Sequence, residues 1–167
     1  MSTGWRVGLL SSLAVVVVGA VVAGLFSMYE KNRVPEAPPV IRPDSTQGSI
    51  EVPQSGDTVS PRFAVKGTHT ELAPGYHVWL ATEVNGEVWP KEPEIGASDR
   101  RFNVTIFEEG RPSDGQFQLV LFQVSETGER QIMDWFEKYR GTGVFPGLAP
   151  SSLDGFARLD IEDLYLR

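Results

Sequence analysis

The chain has 167 residues, room for one domain of about 100–200 residues plus attachments. Hydrophobic residues make up 41% and charged residues 22%, which excludes both a disordered polyelectrolyte and a multi-span membrane protein. Lys and Arg number 15 against 22 for Asp and Glu, a net −7 without the basic face that nucleic-acid phosphates require; cysteine is absent, removing disulfides, thiolate metal sites, cysteine nucleophiles and lipid attachment through sulfur.

A short head (1–6) precedes a run from Val7 to Tyr29 that carries no ionisable group except the final tyrosine. As a helix at 1.5 Å per residue this run spans roughly 34 Å, enough to cross a hydrocarbon core of about 30 Å. Backbone groups in lipid must satisfy one another, so a single helix is expected over 7–29, with Trp5 and Tyr29 at its two interfaces. A cleaved signal peptide is the competing reading, with Met1 to Arg6 as its basic region and Val21-Val22-Ala23 as a small-residue cleavage site. The apolar run is longer than the usual signal core and continues past that site, so an uncleaved anchor in the lipid bilayer is expected. Arg6 and the terminal amine nearly balance Lys31 and Arg33 across the segment. The short head with one Arg fits an anchor whose C-terminal domain is extracytoplasmic; the cytoplasmic orientation stays open. Gly19 with Ala23 and Ala20 with Gly24 place small residues on one helix face, the spacing that lets two membrane helices pack and the chain homo-oligomerise. The plainer reading is that Gly and Ala are simply common in membrane helices.

Residues 30–48 read as a linker: Pro35, Pro38, Pro39 and Pro43 fix φ, remove donors and favour a semi-extended spacer. From Val34 onward, once the three basic residues and one acidic residue before it are set aside, 12 Lys and Arg face 21 Asp and Glu, or −9. Such a domain is repelled by anionic headgroups and stands off the membrane.

Residues 49–167 alternate as half-buried strands do. Ser49–Val52 and Arg62–Lys66 flank the turn at Gly56-Asp57. Tyr76–Val84 runs into Asn85-Gly86, the strongest short hairpin signal, and Glu87–Trp89 returns from it until Pro90. Arg101–Phe107 puts Phe102, Val104 and Ile106 on one face. Gln116–Val124 has Phe117, Leu119 and Leu121 on one face and Val120, Phe122 and Val124 on the other, and Gly155–Leu166 closes the chain. Seven short strands predict an all-β, seven-stranded immunoglobulin-like antiparallel sandwich. One segment departs from period two: Glu129–Arg140 carries Ile132, Met133, Trp135, Phe136 and Tyr139 as a helical stripe, stopped by Gly141-Thr142-Gly143. This short helix and the loop Val144–Pro150 form a long insertion before the last strand, and connections of that length usually carry function.

The stretch Ile50–Thr68, with Pro53, Gly56 and Val59 before a strand ending in Gly67-Thr68, resembles the opening of bacterial immunoglobulin-like modules. Gly75-Tyr76-His77-Val78-Trp79, Val88-Trp89-Pro90 and Trp135-Phe136 are similar to accessory sandwich domains of bacterial multidomain and membrane-anchored proteins. The resemblance covers most of 48–167. It implies a sandwich fold and an accessory recognition role, and it transfers no catalytic residue.

Residue chemistry points the same way. No Gly-x-Ser-x-Gly elbow is present, and Gly141-Thr142-Gly143 follows a helix rather than opening one, so it is no phosphate loop. His69 and His77 lack an evident carboxylate partner in sequence and read as structural or solvated, so no metal or cofactor is expected. Asp154, Asp160, Glu162 and Asp163 fit the solvent face of a strand better than a Ca²⁺ loop, and Asp134 with Glu137 reads as a charged helix face rather than a glycosidase pair. The aromatics carry the remaining signal. Trp79 in mid-strand fits the core, whereas Trp89, Trp135, Tyr139 and Phe145 gather at the hairpin edge and the insertion as candidate partner-binding residues, with a place in the core as the plainer reading for Trp135. The expectation is a non-enzymatic, single-pass, membrane-anchored module that binds a protein as an accessory subunit of a membrane complex. The alternative is a carbohydrate or cell-wall binder using the edge aromatics.

Overall fold

A computed structural model describes residues 42–98, 100–108 and 115–167. The expected membrane segment 7–29, with Gly19, Ala20, Ala23 and Gly24, and most of the linker lie outside the described residues. Among the described residues no helix is long and apolar enough to cross a membrane.

Alternation along the chain builds two sheets. In β3 (Arg62–His69) every second residue is buried, and this strand pairs antiparallel with β1 (Gly48–Val52) on one side and β6 (Arg101–Phe107) on the other. The second sheet has five strands in the order β2 (Thr58–Val59), β8 (Ala157–Leu166), β7 (Gln116–Ser125), β4 (Tyr76–Val84), β5 (Glu87–Ile95). The turn between β4 and β5 is Asn85-Gly86 with φ of 54° and 80°, both left-handed, as a two-residue turn that matches strand twist requires. Between the sheets lies an aliphatic core that includes Val65, Val78, Leu80, Ile106, Leu119, Leu121 and Leu164, each with no exposed surface.

The helix α1 (Glu126–Arg140) covers the opposite face of the five-stranded sheet. Its buried positions Ile132, Trp135 and Phe136 pack on Trp79, Ala81, Val120, Phe122 and Val124. The fold is therefore two packed sheets with a helix behind the larger one, inserted before the last strand as the sequence suggested.

Three details differ from the sequence reading. Among the described residues there are eight strands, because β2 adds two residues that pair parallel with the end of β8, Thr58 opposite Tyr165 and Val59 opposite Leu166; a two-residue strand is too short to show alternation. β5 does not end at Pro90 but continues to Ile95 through Pro90 and Pro93. It is the outer strand of its sheet, where a missing N–H breaks no ladder bond. The helix begins three residues earlier than expected, directly from β7. Ser125 closes the strand and caps the helix, its Oγ accepting from the Thr127 and Gly128 amides at 3.2 Å each, with Glu126 and Glu129 in the favourable first turn. Gly128 resembles a turn residue in sequence, yet it sits inside this first turn because a Cβ there would lie 2.3 Å from the Asp154 carbonyl oxygen.

Candidate binding groove

The helical stripe sets up the site. Residues 132, 135, 136 and 139 fall on one face of α1, and three of them are aromatic. Trp135 meets Phe136 edge-on at 4.9 Å between ring centroids, Phe145 at 5.0 Å and Tyr139 at 6.4 Å, and Phe136 reaches Trp79 at 6.1 Å. The loop after α1 is drawn back over this cluster by polar handles on the same rings. Trp89 Nε1–H donates to the Phe145 carbonyl and Trp135 Nε1–H to the Pro146 carbonyl, both at 2.9 Å. Val88 and Leu148 exchange backbone hydrogen bonds at 2.9 and 3.0 Å, so the loop forms a bridge on the outer edge of β5. Gly147 permits this approach: a Cβ there would stand 2.8 Å from the Trp89 ring.

The loop, α1, β5 and the end of β6 enclose an open groove of about 850 Å³. Its wall includes Trp89, Phe107, Phe117, Phe136, Val144 and Phe145. Phe107 is 54% exposed and Val144 71%, so apolar surface continues to the mouth. Two ion pairs frame it, Lys91 Nζ to Glu108 Oε2 at 2.9 Å and Arg140 Nη2 to Glu92 Oε1 at 2.8 Å.

All four candidate partner-binding aromatics come together here, though unequally. Trp89, Trp135 and Phe145 line the groove; Tyr139 braces Trp135 and packs against the same cluster. Trp135 is 6% exposed and is mostly core. Trp79 is core as expected. Phe107 and Val144, the exposed apolar residues of the rim, were not singled out in sequence. Strand alternation points Phe107 away from its core neighbours Phe102 and Ile106, which was the available signal.

A second constellation lies elsewhere on the helix side. His77 near the start of β4 contacts Glu94 near the end of β5, Nδ1 to Oε1 at 2.8 Å, and Glu129 in the first turn of α1, Nε2 to Oε2 at 3.1 Å. The sequence reading left His77 without a carboxylate partner; the structure gives it two. Burial, together with the neighbouring Glu94 carboxylate, raises the Glu129 carboxyl above its ordinary range, and His77 only partly offsets this. The donor atoms of the three side chains all lie within 4.8 Å of one another, and among the described residues no other group of three His, Asp or Glu has ligand spacing.

The remaining candidates are dispersed. His69 is buried, its Nδ1 at 2.7 Å from the Thr70 carbonyl. Asp154 accepts from Ser125 Oγ, Asp160 from the Ile50 amide, Glu162 from the Ser55 amide and Asp163 from Gln118, so the four acids tie β8 and its approach to separate neighbours. Asp134 and Glu137 are exposed on α1. Comparison with family models, with curated proteins and with solved structures gives no match.

Proposed function

We propose that the chain is a membrane-anchored, non-enzymatic binding module of immunoglobulin-like sandwich type, held by a helix over 7–29 and serving as an accessory subunit that docks a protein partner in the groove beside α1. The observation that carries the reading is the groove itself, concave and walled largely by aromatic and aliphatic side chains, with its charged groups held in ion pairs, one largely buried and one exposed, which is the usual make-up of a recognition site. Those charges are met in pairs, so the occupant it suits is an apolar side chain on a protein segment. The region from Val34 onward carries a net −9, which favours basic residues flanking that side chain.

The carbohydrate alternative has less support. Sugar stacking needs open, parallel ring faces, whereas Trp89 spends its N–H on the loop and Phe145 lies tilted by 52° against Trp135.

The test uses the full-length chain in nanodiscs and a panel of peptides carrying Leu, Phe or Trp with basic or acidic flanks. Val144→Asp and Phe107→Asp should abolish binding of the basic-flanked peptides, while Val52→Asp, exposed on β1, should leave it intact. Equal loss in all three variants, or no preference among the peptides, would overturn the reading. Retention on wall polysaccharide that disappears with Trp89→Ala would instead establish the alternative.

A further inference from the structure

His77, Glu94 and Glu129 come from three different elements and converge where the open end of the β4–β5 hairpin meets the first turn of α1. All three side chains are partly exposed, at 25, 33 and 22%. Among the described ion pairs neither glutamate is matched to a lysine or arginine; Arg130, the nearest basic residue along α1, is engaged with Glu126 and Thr127. Glu94 and Glu129 instead both lie against the one imidazole of His77, at 2.8 and 3.1 Å. Two acids therefore share one imidazole, and the constellation gains from added positive charge.

We propose that His77, Glu94 and Glu129 bind a divalent transition-metal ion of the Zn²⁺ class, with water completing its coordination. A mixed imidazole and carboxylate donor set is what such ions take, and the imidazole disfavours Mg²⁺ and Ca²⁺, which prefer oxygen alone. Bonds of about 2.0–2.2 Å require the three donors, now within 4.8 Å of each other, to close inward on the ion. One ring nitrogen of His77 takes the ion, and the carboxylate now on the other ring nitrogen turns to the metal as part of the same closing movement. Partial exposure leaves an entry path and room for the water ligands. A bound ion would add a tie between the first turn of α1 and β5 to the chain continuity that already joins α1 to β7.

The test uses the full-length chain in detergent, purified through a tag free of histidine and stripped of metal. Titration with Zn²⁺ should show one ion per chain by calorimetry and a rise in melting temperature, with little response to Mg²⁺ or Ca²⁺. Loss of an outer-shell partner alone costs on the order of 10–100-fold in metal affinity, so His77→Gln and Glu129→Gln should each weaken Zn²⁺ at least as much, while Glu126→Gln, exposed one turn earlier, should not. No Zn²⁺ heat, an equal response to Ca²⁺, or binding that survives both ligand substitutions would overturn the proposal. A readout on the unaltered chain guards against variants that misfold. His69 and His77 are the only histidines, so the imidazole ¹⁵N spectrum holds two sets of signals, and Zn²⁺ should move one of them. Movement of neither would sink the site.

Discussion

The two faces of the five-stranded sheet are covered in different ways. β4 and β7 are buried on both sides, so adjacent residues such as Leu121 and Phe122 enter different cores. The face toward β1, β3 and β6 is mostly aliphatic, and its cover is another hydrogen-bonded sheet. The face toward α1 is aromatic, and its cover is held by side-chain packing and by two indole N–H bonds to a loop. Aliphatic side chains on regular strands interdigitate and leave little space. Rings tilted at 33–68° around Trp135 and Phe136 bury large areas without closing every gap. The His77 constellation lies on this second side, and the groove opens where the helix cover meets the β5 edge and the end of β6. The first face supplies rigidity, and the second supplies openings.

The comparison is broken most severely by paired truncations across the sheet. Leu121→Ala should cost about 2–5 kcal/mol and Phe122→Ala about 3–5 kcal/mol, measured by chemical denaturation. Similar totals should conceal different modes of opening. In Phe122→Ala, amide exchange across α1 should proceed at a lower free energy than in β7, because the helix shares no backbone ladder with the sheet it covers. Identical protection in α1 and β7 would mean that the two layers unfold as one, and the distinction drawn above would fall.

Next in size is a polar anchor on the same side. Glu83 is 8% exposed and receives Arg158 through Nε and Nη2 at 2.9–3.1 Å, while Arg158 also lies over the Phe156 ring. Arg158→Met keeps the aliphatic stem and strands a buried carboxylate. The loss should be about 2–3 kcal/mol, below the roughly 3–5 kcal/mol of a fully buried pair because Arg158 is 37% exposed. Restoration by a second change, Glu83→Gln, would show that the stranded charge carries the cost; failure to recover would place it in lost packing.

What could be read from sequence follows the range of the interaction. The β4–β5 turn was legible because Asn85-Gly86 encodes its own backbone, and the two-faced burial of β7 because alternation is local. The insertion and its aromatic stripe were legible for the same reason. β2 was not, because a two-residue parallel pair depends wholly on where β8 arrives. The start of α1 was missed because Gly128 is selected by the Asp154 backbone pressed against it, a contact no local rule contains. Three aromatics of the groove and the adjoining Tyr139 were found, but the indole bonds of Trp89 and Trp135 to the loop were not. The partners of His77 were hidden by a bulge. For Glu94 the bulge is only part of the reason: the expected return strand stopped at Pro90, short of Glu94, although counting back from the turn sets the two opposite; the irregularity between Val78 and Leu80 makes them diagonal neighbours, and Glu129 arrives from another element.

Gly128 also offers a test in which local and tertiary effects oppose each other. Replacing an interior helical glycine with alanine ordinarily stabilises by about 1 kcal/mol. Here the new methyl would meet the Asp154 carbonyl oxygen at 2.3 Å and Val124 Cβ at 2.8 Å, both set by packed strand or backbone. Gly128→Ala should therefore destabilise by about 1–2 kcal/mol net. Stabilisation on thermal melting would show that the start of α1 is free to lift, and that the helix side is looser than drawn here.

The smallest expected effect concerns Glu129 and has a definite sign. Its carboxyl is raised from the ordinary 4.5, first by burial and then by the charges of Glu94 and Glu126, with His77 pulling the other way and failing to cancel them. A carboxyl raised in the folded state binds its proton more tightly there than in the unfolded chain. The stability it confers is full below the unfolded value and is lost as pH rises through the folded one. In metal-free buffer with chelator, the natural chain should lose more stability than Glu129→Gln between pH 4.5 and 7, and the variant should be the more stable at pH 7. Melting curves of the two proteins at matched pH read this as a difference of differences, which removes every titration they share. Parallel curves would mean that His77 compensates Glu129 fully, that the shared-acid strain is absent, and that the helix-side constellation has no standing demand for a cation.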